Sequence, residues 1–160
     1  VPLVGVLEEI ETMAANSRAV ILESALQVPP RQAREELGLS AGQTALHLRR
    51  VRQRDGIRFG YYESWTRGVA EPEDLEELAA TPRLTYFRDR GLAMTHVTQT
   101  LSAISASDEV AQLMDMTAGA PMLQMVRRTF NRQAGEAAVD LLTIKYNPEY
   151  FQYQLDVELA

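Results

Sequence analysis

Apolar positions along this chain recur at two periods. Leu3, Val6, Leu7, Ile10 and Met13 lie three or four residues apart with acids between them, which predicts an amphipathic helix over Leu3 to Ala14. Ala19 to Val28 reads as a strand and runs into Pro29-Pro30. The second proline suits the first turn of a short helix that reaches Leu37 and stops at Gly38. Two extended runs, "LHLRRVRQR" and "IRFGYYESWTR", are separated only by Asp55-Gly56, a strong signal for a hairpin with positive φ at both turn positions. Glu71 to Ala80 and Pro82 to Arg90 read as two helices. Strands return at Met94 to Ala106, Pro121 to Gln133, Ala137 to Tyr146 and Phe151 to Leu159, with a helix at Ser107 to Met116 whose N-cap is Ser107.

The second set of elements repeats the first. "LGLSAGQTALHLRRVRQRDG" lines up with "MDMTAGAPMLQMVRRTFNRQAG", placing Gly42 on Gly119, Leu46 on Leu123, Leu48 on Met125 and Arg50 on Arg127. Further on, Gly56 falls on Gly135 and Glu63 on Leu142. The chain is read as one domain of two pseudo-repeated halves, each strand–helix–strand–hairpin–strand. The expected product is an α+β fold, a mostly antiparallel sheet with helices packed on it.

Composition narrows the function. With 160 residues, 46% hydrophobic and 24% charged, the chain is an ordinary globular domain rather than a disordered one. A formal charge of −6 argues against direct binding to nucleic acid, which needs clustered Lys and Arg. No apolar run approaches the roughly 18 residues that would span a bilayer, and no membrane partner is expected. The absence of cysteine removes disulfides and a thiol nucleophile, and fits a cytoplasmic protein. His47 and His96 lack companions at metal-ligand spacing, so neither a metal nor a cofactor is expected. There is also no glycine-rich phosphate loop and no nucleophile elbow.

The arginines are the feature that calls for chemistry. In a strand, Leu46, Leu48, Arg50, Arg52 and Arg54 share one face, so the side that buries leucine also carries guanidinium groups. An Asp55-Gly56 turn with unbroken pairing sets Arg52 against Phe59, Arg50 against Tyr61 and Leu48 against Glu63, with Glu63 diagonal to Arg50. Two readings follow. One is a structural Arg50–Glu63 pair with Arg52 and Arg54 reaching water. The other is a pocket in which Arg50 and Arg52 bind a small anion and Glu63 orients Arg50. In the second half Arg127 takes the place of Arg50, and Asp140 is expected to face it as a structural ion pair. Arg18 precedes Val20, Leu22 and Leu26 on the apolar face of the first strand, and the repeat places Thr95, Val97, Gln99 and Ala103 at the matching positions, which makes Arg18 and Gln99 candidate pocket residues. Tyr146 is a candidate at the cleft mouth.

"LGLSAGQTALHLRRVRQRDGIRFGYYESW" resembles the UTRA domain, the effector-binding module of GntR-type transcription regulators of the HutC subfamily. There a leucine–glycine helix end leads into R-x-R, then Asp-Gly, then a strand carrying Glu. The layout from "GLAMTHVTQTLSAISASDEVAQLMDM" to "AAVDLLTIKYNPEYFQYQLDV" follows the family as well. The resemblance implies a chorismate-lyase-like fold and a small effector, often a sugar phosphate or an organic acid. It also implies a homodimer that presents two winged-helix DNA-binding domains. It places the family's R-x-R on Arg50 and Arg52, its strand acid on Glu63, and its polar position before the first strand near Ser17 and Arg18. Leu142, where many members are polar, and "YNPEYF" in place of Tyr-Arg-Gly-Asp-Arg-Tyr depart from the pattern, which weighs against a sugar phosphate and leaves room for a less polar acid. DNA would be reached only through a winged-helix domain that this chain does not carry, with the Leu3 to Ala14 helix as the expected link. The alternatives are a chorismate-lyase-like enzyme, with Glu63 as its acid or base, and an interaction module with purely structural arginines.

Overall fold

The structure, a computed structural model, describes residues 17–154 and 156–160. The helix expected over Leu3 to Ala14 lies outside the described residues. Ten elements follow in order: β1 (Arg18–Gln27), α1 (Arg31–Glu36), β2 (Ala45–Arg54), β3 (Ile57–Thr66), α2 (Leu75–Ala80), α3 (Arg83–Asp89), β4 (His96–Ser105), α4 (Asp108–Leu113), β5 (Pro121–Phe130) and β6 (Ala138–Tyr146). The six strands form one sheet in the order β1-β2-β3-β6-β5-β4, and every pairing is antiparallel. The fold is therefore α+β, and the repeat read from the sequence has a spatial meaning. Each half is a βαββ unit, and the two units meet at their last strands, β3 and β6.

Local chemistry accounts for the elements. Asp55 and Gly56 both adopt positive φ, 52° and 78°, closing the β2–β3 hairpin as a type I′ turn requires. The Ser107 side chain accepts from the Val110 N–H and starts α4, and Asp74 caps α2 by accepting from Glu76 and Glu77. The segment after Tyr146 is not a strand, against expectation. Its alternating pattern finds no pairing partner among the described residues. Phe151 instead stacks on Tyr146, ring centroids 3.6 Å apart.

Helices cover both faces of the sheet. On one face α2 and α3 seal Leu46 and Leu48 beneath Leu78, Tyr86 and Phe87. Burying each of those leucines contributes about 1.5–3 kcal/mol. On the other face α4 packs Val110, Ala111 and Met114 against Val51 and Tyr61. Next to it the end of α1 sets Leu37 against Ala45, Ala138 and Leu141.

Each hairpin contains one register break. In β2–β3, Arg52 pairs with Gly60 but Gln53 pairs with Arg58, which leaves Phe59 as an extra residue. In β5–β6, Thr129 pairs with Asp140 and Phe130 with Ala138, leaving Val139 extra. A bulge of one residue transfers every later side chain to the opposite face. These two breaks decide which side chains reach the site.

Candidate functional site

Beyond the Phe59 bulge, Arg50 pairs with Tyr62 and Leu48 with Ser64, while Glu63 pairs with Arg49. The expected neighbourhood of Arg50 and Glu63 is thus corrected: they lie on opposite faces. Glu63 accepts from His47 Nε2 at 2.8 Å. Gln27 donates its amide to Glu23 and so turns its oxygen toward His47 Nδ1, 2.8 Å away. His47 also lies flat on Trp65, with centroids 4.0 Å apart. The bond from His47 holds the Glu63 carboxyl below the ordinary glutamate range, against the opposing effect of partial burial.

The face that carries Arg50 builds a different environment. Arg50, Arg52 and Tyr62 from the first unit, Leu142, Ile144 and Tyr146 from β6, and Arg127 from β5 line a cavity closed by Pro82, Arg83 and Leu84. All four arginines are nearly inaccessible, 3% to 6% exposed. The cavity offers about 40 Å³ to the centres of water-sized molecules, room for a small anionic group rather than a large cofactor.

Its charges are unbalanced. Arg83 forms a two-point ion pair with Asp140, Nη1–Oδ1 at 2.6 Å and Nη2–Oδ2 at 2.7 Å, and Thr66 donates to the same carboxylate. The expected Arg127–Asp140 pair is corrected accordingly. The Val139 bulge sets Asp140 opposite Thr129 and Leu142 opposite Arg127, and the carboxylate turns to α3. Arg127 instead donates from Nε and Nη2 to Gln99 Oε1, at 2.9 and 2.6 Å. Arg52 donates to Ser17 Oγ at 3.0 Å. Arg50 and Arg52 lie over the Tyr62 ring, 5.0 and 5.8 Å from its centroid. Among the described residues no hydrogen-bond partner meets Arg50 Nε or Arg83 Nε.

Burial first, then the charges of Arg83 and Arg52, lower Arg50 to about 9. Burial likewise lowers Arg127 and raises the Tyr146 phenol. Among the described residues, four buried guanidiniums against one carboxylate leave a strong local surplus of positive charge in a chain whose formal charge is −6. Desolvated cations of this kind are destabilising until an anion meets them.

Among the other sequence candidates, Ser17 stands beside Arg52, Gln99 holds Arg127, and Tyr146 lines the cavity. Arg18 does not reach it. Ala19 and Ile21 face Arg52 and Arg50, whereas Arg18 pairs with Gln53 on the other side and is exposed. A register break between Ile21 and Glu23 puts Arg18 and Leu26 on opposite faces despite their even spacing. Arg83 was missed altogether. A single arginine at a helix start looks like a solvated surface residue, and only the tertiary fold buries it.

A six-stranded antiparallel sheet with helices on both faces, built from two βαββ units, defines a chorismate-lyase-like α+β domain. The chain belongs to the UTRA domain family, whose model matches residues 13–151. Solved structures agree on the fold. The possible transcriptional regulator YydK from Bacillus subtilis is 21% identical, with a TM-score of 0.76 over 89% of this chain, which spans 63% of that one. The ligand-binding domain of a putative GntR-family transcriptional regulator from Bordetella bronchiseptica is 23% identical over 89% of this chain and 92% of its own, TM-score 0.76. The effector domain of PhnF from Mycobacterium smegmatis is 18% identical over 96% and 94%, TM-score 0.78. Comparison with curated proteins returns no match.

Proposed function

We propose that this chain is the effector-sensing, dimerising part of a GntR-type transcription regulator of the HutC subfamily, working in the cytoplasm. Its cavity takes a small anionic metabolite, an organic acid or a sugar phosphate. A winged-helix domain elsewhere in the regulator makes the DNA contacts that the effector modulates. One observation carries this reading: Arg50 is buried, its Nε lacks a partner among the described residues, and Arg52, Arg83 and Arg127 share its cavity. The apolar lining from Leu84, Leu142 and Ile144 favours an anion with a hydrophobic body. Binding rather than turnover is supported by the carboxylates. Glu63, considered as an acid or base, lies on the other face, and Asp140 is fixed by Arg83.

Thermal-shift and calorimetric screening of sugar phosphates, inorganic phosphate and small mono- and dicarboxylates tests it. At least one anion should stabilise the chain and lose its effect in Arg50→Gln and Arg52→Ala. No stabiliser in the panel, or one that acts undiminished on both variants, would overturn the assignment.

A further inference from the structure

The pairing of the two βαββ units follows a local two-fold axis between β3 and β6, where Tyr62 pairs with Ile144 and Ser64 with Leu142. Outward on one side the row runs from Tyr62 to Arg50 and Ile21; on the other it runs from Leu142 to Arg127 and Gln99. Arg50 and Arg127 therefore hold equivalent places in the two units, and both line the same cavity. Tyr62, Leu142 and Ile144 lie on the two strands between them. Each unit thus brings a guanidinium to one end of a largely apolar strip.

Neither end is neutralised from within. Asp140, the one carboxylate at the cavity among the described residues, is held by both Nη atoms of Arg83. At the second end Arg127 donates to the neutral Gln99 Oε1, although it is only 4% exposed. At the first end Arg52 meets the Ser17 hydroxyl, and among the described residues Arg50 Nε has no partner. A monocarboxylate compensates one end and leaves the other charged and desolvated. A phosphate gathers its charge at one point and does the same.

We propose that the cavity is built for a short dicarboxylate, with one carboxylate on Arg50 and Arg52, the other on Arg127, and the methylene chain over Leu142 and Ile144. The proposal rests on the anion-sensing reading above and narrows it to one class of organic acid. Guanidinium forks match carboxylates at both ends, and the strip between them favours CH2 groups over hydroxyls. The small volume of the cavity limits the chain to a few carbons.

Calorimetric titration of the 160-residue chain at pH 7.5 tests this from the ligand side first. Malonate, succinate and glutarate are compared with their monomethyl esters, which keep the chain length and lose one charge. The best diacid should bind at least tenfold more tightly than its half-ester. Gln99→Glu gives Arg127 a carboxylate of its own at nearly unchanged side-chain size, and should erase that preference. Arg127→Gln, checked for folding by circular dichroism, should erase it as well, which closes a cycle between ligand charge and protein charge. A preference below tenfold overturns the two-ended site, and so does one that survives Gln99→Glu undiminished. Binding of inorganic phosphate or glycerol 3-phosphate with no diacid also overturns it. In each of those cases the anion-sensing reading stands, whereas a chain that binds none of these anions overturns both.

Discussion

Arg83 on α3 and Asp140 on β6 meet through two hydrogen bonds of 2.6 and 2.7 Å, although 57 positions separate them in sequence. The pair fixes the helical layer to the sheet at the rim of the cavity. Asp140 is fully buried and Arg83 is 4% exposed. The Asp140 carboxylate is also the one counter-charge, among the described residues, at a cavity lined by four buried arginines.

Removing one partner should therefore do more harm than removing both. Asp140→Asn leaves Arg83 buried beside Arg50 and Arg127 and is expected to lose about 3–5 kcal/mol. Asp140→Leu with Arg83→Met should recover much of that loss, because an apolar pair needs no solvation. Urea denaturation of the single and double variants measures both. Equal losses in the two would mean that the pair stabilises by packing rather than by compensating charge.

Arg50 gives the cavity a pH signature. Burial and the neighbouring Arg83 and Arg52 lower it to about 9, so the charge that attracts an anion is itself titratable. Sulfate does not titrate in this range and serves as the probe. Its affinity should be flat below about pH 9 and fall roughly tenfold per unit above, since it binds the protonated guanidinium. The sign for stability is opposite: charged Arg50 penalises the folded chain, and that penalty lifts as pH rises through the same value. Calorimetric titration from pH 7.5 to 10.5, with Arg50→Gln as the control lacking this slope, checks the claim.

The sequence made the framework readable but misplaced part of the site, and the division follows the bulges. Leu46 with Leu48 and Leu123 with Met125 announced the same inward face in both halves. Asp55-Gly56 fixed one turn, and those features led to the six strands of the sheet, beside a seventh over Phe151 to Leu159 that does not form, and to Arg50, Arg52 and Arg127 on one side. Counting back from the turn without a bulge then put Tyr61 and Glu63 where Tyr62 and Ser64 belong. Gly60 was an available warning, since a glycine inside a strand often marks a bulge. Val139 carries no such mark, so the position of Asp140 depended on tertiary packing. Arg83 was invisible for the same reason.

Gly60 also makes a space requirement that can be tested. A Cβ there would lie 2.7 Å from Tyr62 Cε1 and 3.3 Å from Tyr146 Cδ1. Both rings are buried, so Gly60→Ala should lose about 1–3 kcal/mol through overpacking. Because Arg50 and Arg52 rest over the Tyr62 ring, the same change should weaken anion binding. Adding Tyr62→Leu removes the clashing atom and should restore stability without restoring affinity. Paired thermal melts and titrations separate the two effects.

On the opposite face, Glu63 should govern part of the acid stability. Its carboxyl is held below the ordinary range chiefly by the hydrogen bond from His47. A depressed folded value means that the contribution is present above the unfolded carboxylate range and disappears as pH falls through the folded one. The stability difference between the wild-type chain and Glu63→Gln should therefore be greatest near neutral pH and close under acid. Trp65 is the only tryptophan and stacks on His47 within 4° of parallel, so its emission reports the state of this network. Denaturation followed by Trp65 fluorescence at successive pH values should show the two stability curves converging below the ordinary glutamate range. Curves that remain parallel to the acid limit would assign the stabilisation to the His47–Trp65 stack instead of to the carboxylate.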